Sequence, residues 1–439
     1  MASSATITDS SAVERVFPVS EHDLSTNEGI YAYLNQYTPF FASSVIRLSG
    51  GFANWTYRAA LKEPYKYIDS IGQHTVLKTI VIKFSSNATS LDASVPLDLY
   101  RTRAEVAALR LVSGLDLPHF CGIATSQTDR TQPTIFLPEL VFYDTTNHVG
   151  CYVDLGNLPT LMQYLTDHPG QEAVEIATRT GRLLGEFLAG LHIWGWKVLQ
   201  TESSILDLFK RSVGAKEHCA WRTIGLVEGV AKEYQIEADW EKITNTLKRE
   251  VLDVEQTFNM GDFWTGNVLI EMQGPTSQVI KALYILDWEL AKTGRASTDI
   301  AQFAAEAYML RQYNTLASSS TIATSVQMKV PPVTREISSA GEALLVSFLN
   351  AYEEYIKERS SEMEKSAEGN STQPDTMLDS RSVIGHLCAH VATIGKTFSW
   401  TDKETTDKTV RTMLQLLITN DQESTKKSLK EVLTSLKDE

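Results

Sequence analysis

Cysteine is scarce in this chain of 439 residues: Cys121, Cys151, Cys219 and Cys388 are the four present, far apart in sequence. Their spacing fits neither a disulfide framework nor a zinc site, so a bridge-stapled fold is excluded and a reducing, cytoplasmic setting is expected. Long apolar runs are missing too, and no stretch approaches the roughly 18 residues of a membrane span. The stretch from Met1 to Thr6 has neither the basic head nor the apolar segment of a secretory leader. No membrane partner is therefore expected, and the sequons at Asn54, Asn87 and Asn370 are expected to stay unmodified. Positive charge is in deficit: 40 basic residues stand against 54 acidic ones, a formal charge of −14. A nucleic-acid partner needs a basic face to displace counterions, and this balance argues against one. No internal repeat is visible.

What is present is ordinary for a globular protein, with 43% apolar and 21% charged residues over a length that allows two or three domains. Residues 1–13 are small, polar and aperiodic, and read as disordered. A short helix is predicted from Glu21 to Tyr37, then strand, turn and strand from Ser44 to Ala60. The turn carries Gly50, Gly51 and Asn54; glycines let a backbone approach a phosphate closely. Thr75 to Phe84 reads as a strand with Lys83 near its end, and Pro96 to Ser113 as a helix containing Glu105. Further strands follow up to Val153, after which residues 154–159 interrupt the pattern and helical periodicity begins at Thr160.

The chain thus reads as α+β, with a β-rich N-terminal lobe over 14–153 and a mostly helical C-terminal lobe over 154–439. A nucleotide base is expected against the backbone of Cys151, Tyr152 and Val153. Helices are expected from Gln171 to Trp196, with His192 closing the apolar face, and over Val213 to Arg249, with Trp221 and Trp240 as packing residues. Later helices are expected at Thr334 to Lys357, Asp379 to Lys396, Lys403 to Leu417 and beyond Gln422, with flexible excursions at Thr315 to Val330 and Ser360 to Thr376.

The densest signal runs from Asn259 to Tyr308: Asn259-Met260-Gly261-Asp262-Phe263-Trp264-Thr265-Gly266-Asn267, an apolar run, Asp287-Trp288-Glu289, and Asp299 after Gly294. Phosphoryl transfer to a hydroxyl needs a carboxylate for the acceptor proton, oxygen ligands for Mg²⁺, and positive charge on the phosphates. Asp262 precedes Asn267 by five residues, so one loop can present both the base and a metal-binding amide. The strand pair Val268 to Met272 and Val279 to Leu286 then delivers Asp287 to the same place as a bridging ligand. Glu289 points the same way as Asp287 if the chain stays extended. Asp299 reads as the N-cap of a helix over Ile300 to Leu310 that also braces the loop. Lys83 is then the lysine for the α- and β-phosphates, with Glu105 as its partner.

At these residues the chain resembles the aminoglycoside phosphotransferase and choline kinase superfamily, whose motif is His-Gly-Asp, four residues, Asn, then Ile-Asp-Trp-Glu. Within it, Gly261 to Asn267 and Leu286 to Lys292 look most like the methylthioribose-kinase-like fungal branch that includes 4-hydroxytryptamine kinase. The resemblance covers residues from about 25 to about 310. It implies a bilobal protein-kinase-like fold, ATP and Mg²⁺ as cofactors, and a small-molecule hydroxyl acceptor, with the protein acting as monomer or homodimer. It also implies an acceptor pocket beside Asp262, for which Trp264, Glu306, Tyr308, His386, His390 and Trp400 are candidates, Glu306 as an acid for an amine-bearing, hydroxytryptamine-like compound. Met260 departs from the histidine that usually precedes Gly-Asp, and activity is expected to survive it. The paired arginines that methylthioribose kinases use on their sugar are missing, which disfavours that acceptor. A nucleotide-binding pseudokinase or scaffold is the competing reading. A protein kinase would need His-Arg-Asp, Asp-Phe-Gly and Ala-Pro-Glu signals, none of which is present.

Overall fold

The computed structural model describes residues 13–49, 53–68, 74–90, 92, 94–123, 133–168, 170–274, 277–312, 335–366, 378–398 and 401–422. The chain divides into two compact units: residues 1–114, 121–131 and 136–158 in the first, residues 115–120, 132–135 and 159–439 in the second.

The first unit is built on a six-stranded sheet, in the order Val13–Arg15, Leu140–Asp144, Val149–Val153, His74–Phe84, Trp55–Ile68, Ala42–Arg47. Val13–Arg15 runs parallel to Leu140–Asp144, and the other neighbouring strands pair antiparallel. The strand His74–Phe84 shows why this stretch extends: it is rich in β-branched residues, and over Thr79 to Lys83 the side chains alternate, with Ile80 and Ile82 buried and Val81 and Lys83 on the opposite face. On the buried face lies the helix Asn27–Tyr37, whose Ile30, Tyr33 and Leu34 join the core. The helix starts later than the sequence pattern places it because the Thr26 side chain caps it, accepting from the Gly29 N–H at 3.0 Å. On the other face Lys83 meets the helix Tyr100–Ser113. Residues 1–12, most of the stretch read as disordered, and Gly50 and Gly51 lie outside the described residues.

The second unit is mostly helical. Its spine is Gln171–Thr201, with Ile176, Leu183, Leu184, Phe187, Leu188 and Leu191 buried at three- and four-residue intervals. The helix Arg335–Ser366 crosses it so closely that a Cβ on Gly185 would stand 2.4 Å from the Phe348 carbonyl oxygen, and one on Gly181 2.6 Å from that of Leu344. Only glycine permits that approach. The expected helix over Val213 to Arg249 is three helices, Val213–Thr223, Val227–Glu233 and Trp240–Leu252. Trp240 packs inside, but Trp221 is 50% exposed, so it is not a packing residue. Residues 360–366 continue the helix where a flexible excursion was expected; that excursion's remainder, the one at 315–330 and the segment beyond Gln422 lie outside the described residues.

Two short ladders organise the part of this unit that matters most. Thr257–Asn259 pairs with Lys292–Gly294, Asn259 opposite Lys292, and Val268–Met272 pairs with Ile280–Ile285, Val268 opposite Ile285. The loop 260–267 and the turn 286–291 are therefore clamped at both ends, side by side. A bond from the Leu286 N–H to the Asn267 carbonyl at 2.8 Å ties them further.

Candidate active site

Asp262 sits in the clamped loop with its carboxylate held from three directions. Its Oδ1 accepts from Arg222 Nη1 at 2.7 Å and from Gln302 Nε2 at 2.7 Å, and its Oδ2 from Asn267 Nδ2 at 2.9 Å. Asn267 Nδ2 also donates to the Asp262 carbonyl at 3.0 Å, which turns the amide oxygen of Asn267 away from the loop. Burial pushes the Asp262 carboxyl upward; the Arg222 charge, with the hydrogen bonds from Gln302, Arg222 and Asn267, outweighs burial and holds it below the usual carboxylate value. Asp262 is thus anionic at neutral pH.

The loop's backbone is braced from beneath. Asp299, 1% exposed, accepts from the Met260 N–H at 2.7 Å and the Gly261 N–H at 3.0 Å. It does not cap its helix, because Ser297–Gln312 begins two residues earlier and leaves the carboxylate free to take the loop's donors. His192 Nε2 stands 3.6 Å from Asp299 Oδ2, while its Nδ1 bonds Tyr352 Oη at 2.8 Å, so this histidine is a core residue behind the brace. Burial raises the Asp299 carboxyl, but His192, the buried Lys292 ammonium and the Gly261 N–H bring it below its ordinary value. Gly261 has φ +84°, and a Cβ there would lie 2.1 Å from the Leu290 carbonyl oxygen, so the turn into Asp262 requires glycine. The brace uses the backbone of Met260 rather than its side chain, which is fully buried.

Asp287 and Glu289 converge, with carboxylate oxygens within 4.8 Å of one another. They do not do so by strand alternation: the strand ends at Ile285, Asp287 adopts φ +64°, and the chain turns there. Aspartate tolerates the left-handed region better than most residues. Hard oxygens that close suit a divalent cation such as Mg²⁺.

In the first unit, Lys83 Nζ lies 3.0 Å from Glu105 Oε1 and 2.9 Å from Oε2, both side chains largely buried. Asn54 is also buried, its Oδ1 accepting from Ser85 Oγ at 2.7 Å and Arg101 Nη2 at 2.9 Å, so it anchors the chain leaving the glycine turn. Cys151 and Tyr152 need correction. They lie on an interior strand, paired to Ile82 and Val81 on one side and to Phe142 and Leu140 on the other, which commits their backbone groups to the ladder. The Val153 N–H donates to the Glu139 carbonyl at 2.9 Å. Backbone clear of the ladder begins after Val153, at Asp154, whose side chain is held by Arg58 at 2.8 Å.

Among the acceptor candidates, Glu306 is 3% exposed and its Oε1 lies 2.9 Å from His390 Nε2, while its Oε2 is buried with no hydrogen-bond partner among the described residues. His386 bonds Glu250 at 3.0 Å. Gln302 and His390 line a cavity of about 30 Å³ with Gly261, Lys292, Asp299 and His386. Tyr308 is buried, the Trp264 ring lies across Gly266, and Trp400 falls outside the described residues.

Arg222 and Gln302 are the residues sequence reasoning missed. Gln302 and Glu306 follow Asp299 by three and seven residues, one helical face, so that signal was available. Arg222 ends the helix Val213–Thr223, where a basic residue ordinarily reads as a complement to the helix dipole; nothing local marks its partner 40 residues on.

The chain is 27% identical over 293 residues to a 4-hydroxytryptamine kinase of Psilocybe cyanescens, covering 66% of this chain and 75% of that protein. A 4-hydroxytryptamine kinase of Psilocybe cubensis is 28% identical over 300 residues, with the same coverage. Among solved structures, the ADP-bound aminoglycoside phosphotransferase APH(2'')-Ib aligns with 89% of this chain and 98% of its own at 14% identity and a TM-score of 0.40. The model of the phosphotransferase enzyme family matches residues 99–318, a span that runs from ahead of Glu105 to beyond Asp299. The chain therefore belongs to the phosphotransferase enzyme family and is a small-molecule kinase.

Proposed function

We propose that the protein transfers the γ-phosphoryl group of ATP, as its Mg²⁺ complex, to a hydroxyl of a small molecule. The observation that carries this is the Asp262 carboxylate, held anionic by Arg222, Gln302 and Asn267 in a loop whose backbone is pinned to buried Asp299. Asp262 orients the acceptor hydroxyl and takes its proton as the oxygen attacks phosphorus. Asn267, Asp287 and Glu289 supply the oxygens for Mg²⁺, which neutralises charge on the phosphates. Lys83, steadied by Glu105, binds the α- and β-phosphates, with the glycine turn at Gly50 and Gly51 against them. The base is held by backbone from Asp154 onward, next to the strand that ends at Val153.

An amine-bearing acceptor of the hydroxytryptamine kind is supported by Glu306. Its buried Oε2 has no partner among the described residues, and it lies on the helix of Gln302, four residues and about one turn of 5.4 Å further on. A hydroxyl at Asp262 and a cationic nitrogen near Glu306 suit one compact molecule.

ADP release from Mg-ATP, followed with 4-hydroxytryptamine, choline, an aminoglycoside and methylthioribose, tests both statements. Release with a hydroxyindole amine above the others is expected, and Glu306→Gln is expected to raise KM for it. An unchanged KM removes the amine assignment. Stabilisation by Mg-ATP with no release for any acceptor marks a nucleotide-binding pseudokinase instead.

A further inference from the structure

Three cations or donors surround Asp262, but they come from different places. Asn267 belongs to the same loop, so its bond to Oδ2 forms whenever the loop folds. Arg222 and Gln302 arrive on separate helices, Val213–Thr223 and Ser297–Gln312, and both bond the other oxygen, Oδ1. The first of these helices is fastened to the loop one turn earlier as well, where Cys219 Sγ donates to the Gly261 carbonyl at 3.4 Å. Among the described residues the Arg222 guanidinium makes no other hydrogen bond, and its Nε is buried without a partner. It is not an arginine from elsewhere in the fold that happens to pass near the base. Its side chain is 22% exposed against 14% for Asp262, so the pair stands at the lip of the site rather than in the core.

A carboxylate offers about four lone-pair directions, two on each oxygen. Two donors fill Oδ1 and one fills a direction on Oδ2, which leaves a single direction, on Oδ2. We propose that Arg222, with Gln302, is a positioning residue for the transfer: the two fix Asp262 through Oδ1 and so reserve Oδ2 as the oxygen that receives the acceptor's proton. In that step the acceptor O–H bond breaks and its proton goes to Oδ2, the acceptor oxygen bonds the γ-phosphorus, and the bond to the bridging oxygen breaks with its electron pair leaving on ADP. In this role Arg222 acts through Asp262, whose Oδ1 it bonds. In a reaction whose transition state is loose, a base contributes chiefly by orientation, so fixing its rotation is where a neighbouring side chain has leverage.

This inference rests on the assignment of Asp262 as base, and a double-mutant cycle separates the two. ADP release from Mg-ATP with 4-hydroxytryptamine is measured for wild type, Arg222→Ala, Arg222→Lys, Asp262→Asn and the double variant Arg222→Ala/Asp262→Asn. Arg222→Ala is expected to lower kcat by about 10- to 100-fold with KM for ATP unchanged, and Arg222→Lys to recover a large part of it. In the Asp262→Asn background, removing Arg222 is expected to cause no further loss, because the group it positions is already gone. Gln302→Ala, which leaves the helix Val213–Thr223 untouched, is expected to lower kcat in the same non-additive way, and covers the case in which Arg222→Ala fails to fold. Unchanged kcat in Arg222→Ala and Gln302→Ala, or losses that multiply with that of Asp262→Asn, overturn the positioning role alone. Full turnover in Asp262→Asn overturns both it and the reading it rests on.

Discussion

Replacing Asp299 with asparagine keeps the shape of the side chain and removes its charge, and the structure says what that does. Asp299 accepts two backbone hydrogen bonds, from Met260 and Gly261, and faces the buried Lys292 and His192. Hydrogen bonds to a charged acceptor contribute roughly 1.5–3 kcal/mol each. Asparagine can accept one of the two but turns an N–H toward the other. It also removes the negative charge that the buried Lys292, 1% exposed, acts on electrostatically, so the loss is about 3 kcal/mol. For a chain of 439 residues a loss of about 3 kcal/mol corresponds to a fall in Tm of about 3 °C, measured by circular dichroism at pH 7. Turnover should drop as well, by about 10²-fold if the Gly261–Asp262 peptide moves by an ångström. The pH dependence has a definite sign. Because the folded-state carboxyl lies below its ordinary value of 3.8, its stabilisation is fully present above about pH 4 and is lost as pH falls through the folded value. The gap in stability between wild type and Asp299→Asn should therefore narrow below pH 4. An unchanged Tm and kcat at pH 7, or a gap that widens in acid, refutes the brace.

Other expectations follow from the same contacts. Lys83→Met removes the cation paired with Glu105 and should weaken ATP binding by about 10- to 100-fold in calorimetry, with little change for the acceptor. Equal ATP affinity removes the phosphate role. Gly185→Val sets a side chain against the Phe348 carbonyl, 2.4 Å from where its Cβ must go, and should lower unfolding stability by about 1–3 kcal/mol in urea titration. Met260→Leu should cost under about 1.5 kcal/mol and leave kcat intact, since the loop is braced through the Met260 N–H. A collapse of kcat in that variant would show that the thioether itself takes part.

Much of the site was legible in the sequence for reasons that are local. The strand of Lys83 alternates buried and half-buried residues, and the order of Asp262, Asn267 and Asp287 follows from loops that leave and rejoin short ladders. Asp299 was legible as a brace but not as what it is, since its spacing from Gly294 looks like a cap and only the packed loop shows the two donors it meets. Two misreadings came from treating local geometry as final. Asp287 and Glu289 were aligned by period two, whereas a left-handed residue at Asp287 turns the chain and brings them together another way. Cys151 and Tyr152 looked available because their strand precedes the break, but a strand flanked on both sides has no backbone groups to spare. Arg222 was out of reach because its meaning lies entirely in a partner brought to it by folding.

The central claim is that Asp262 is the base for transfer to a hydroxyl. Its most direct measurement is the rate of phosphoryl transfer from Mg-ATP by Asp262→Asn, beside calorimetric ATP binding by the same variant. Turnover about 10²- to 10⁴-fold below wild type with ATP affinity unchanged is the predicted result. Turnover equal to that of the wild type would contradict it.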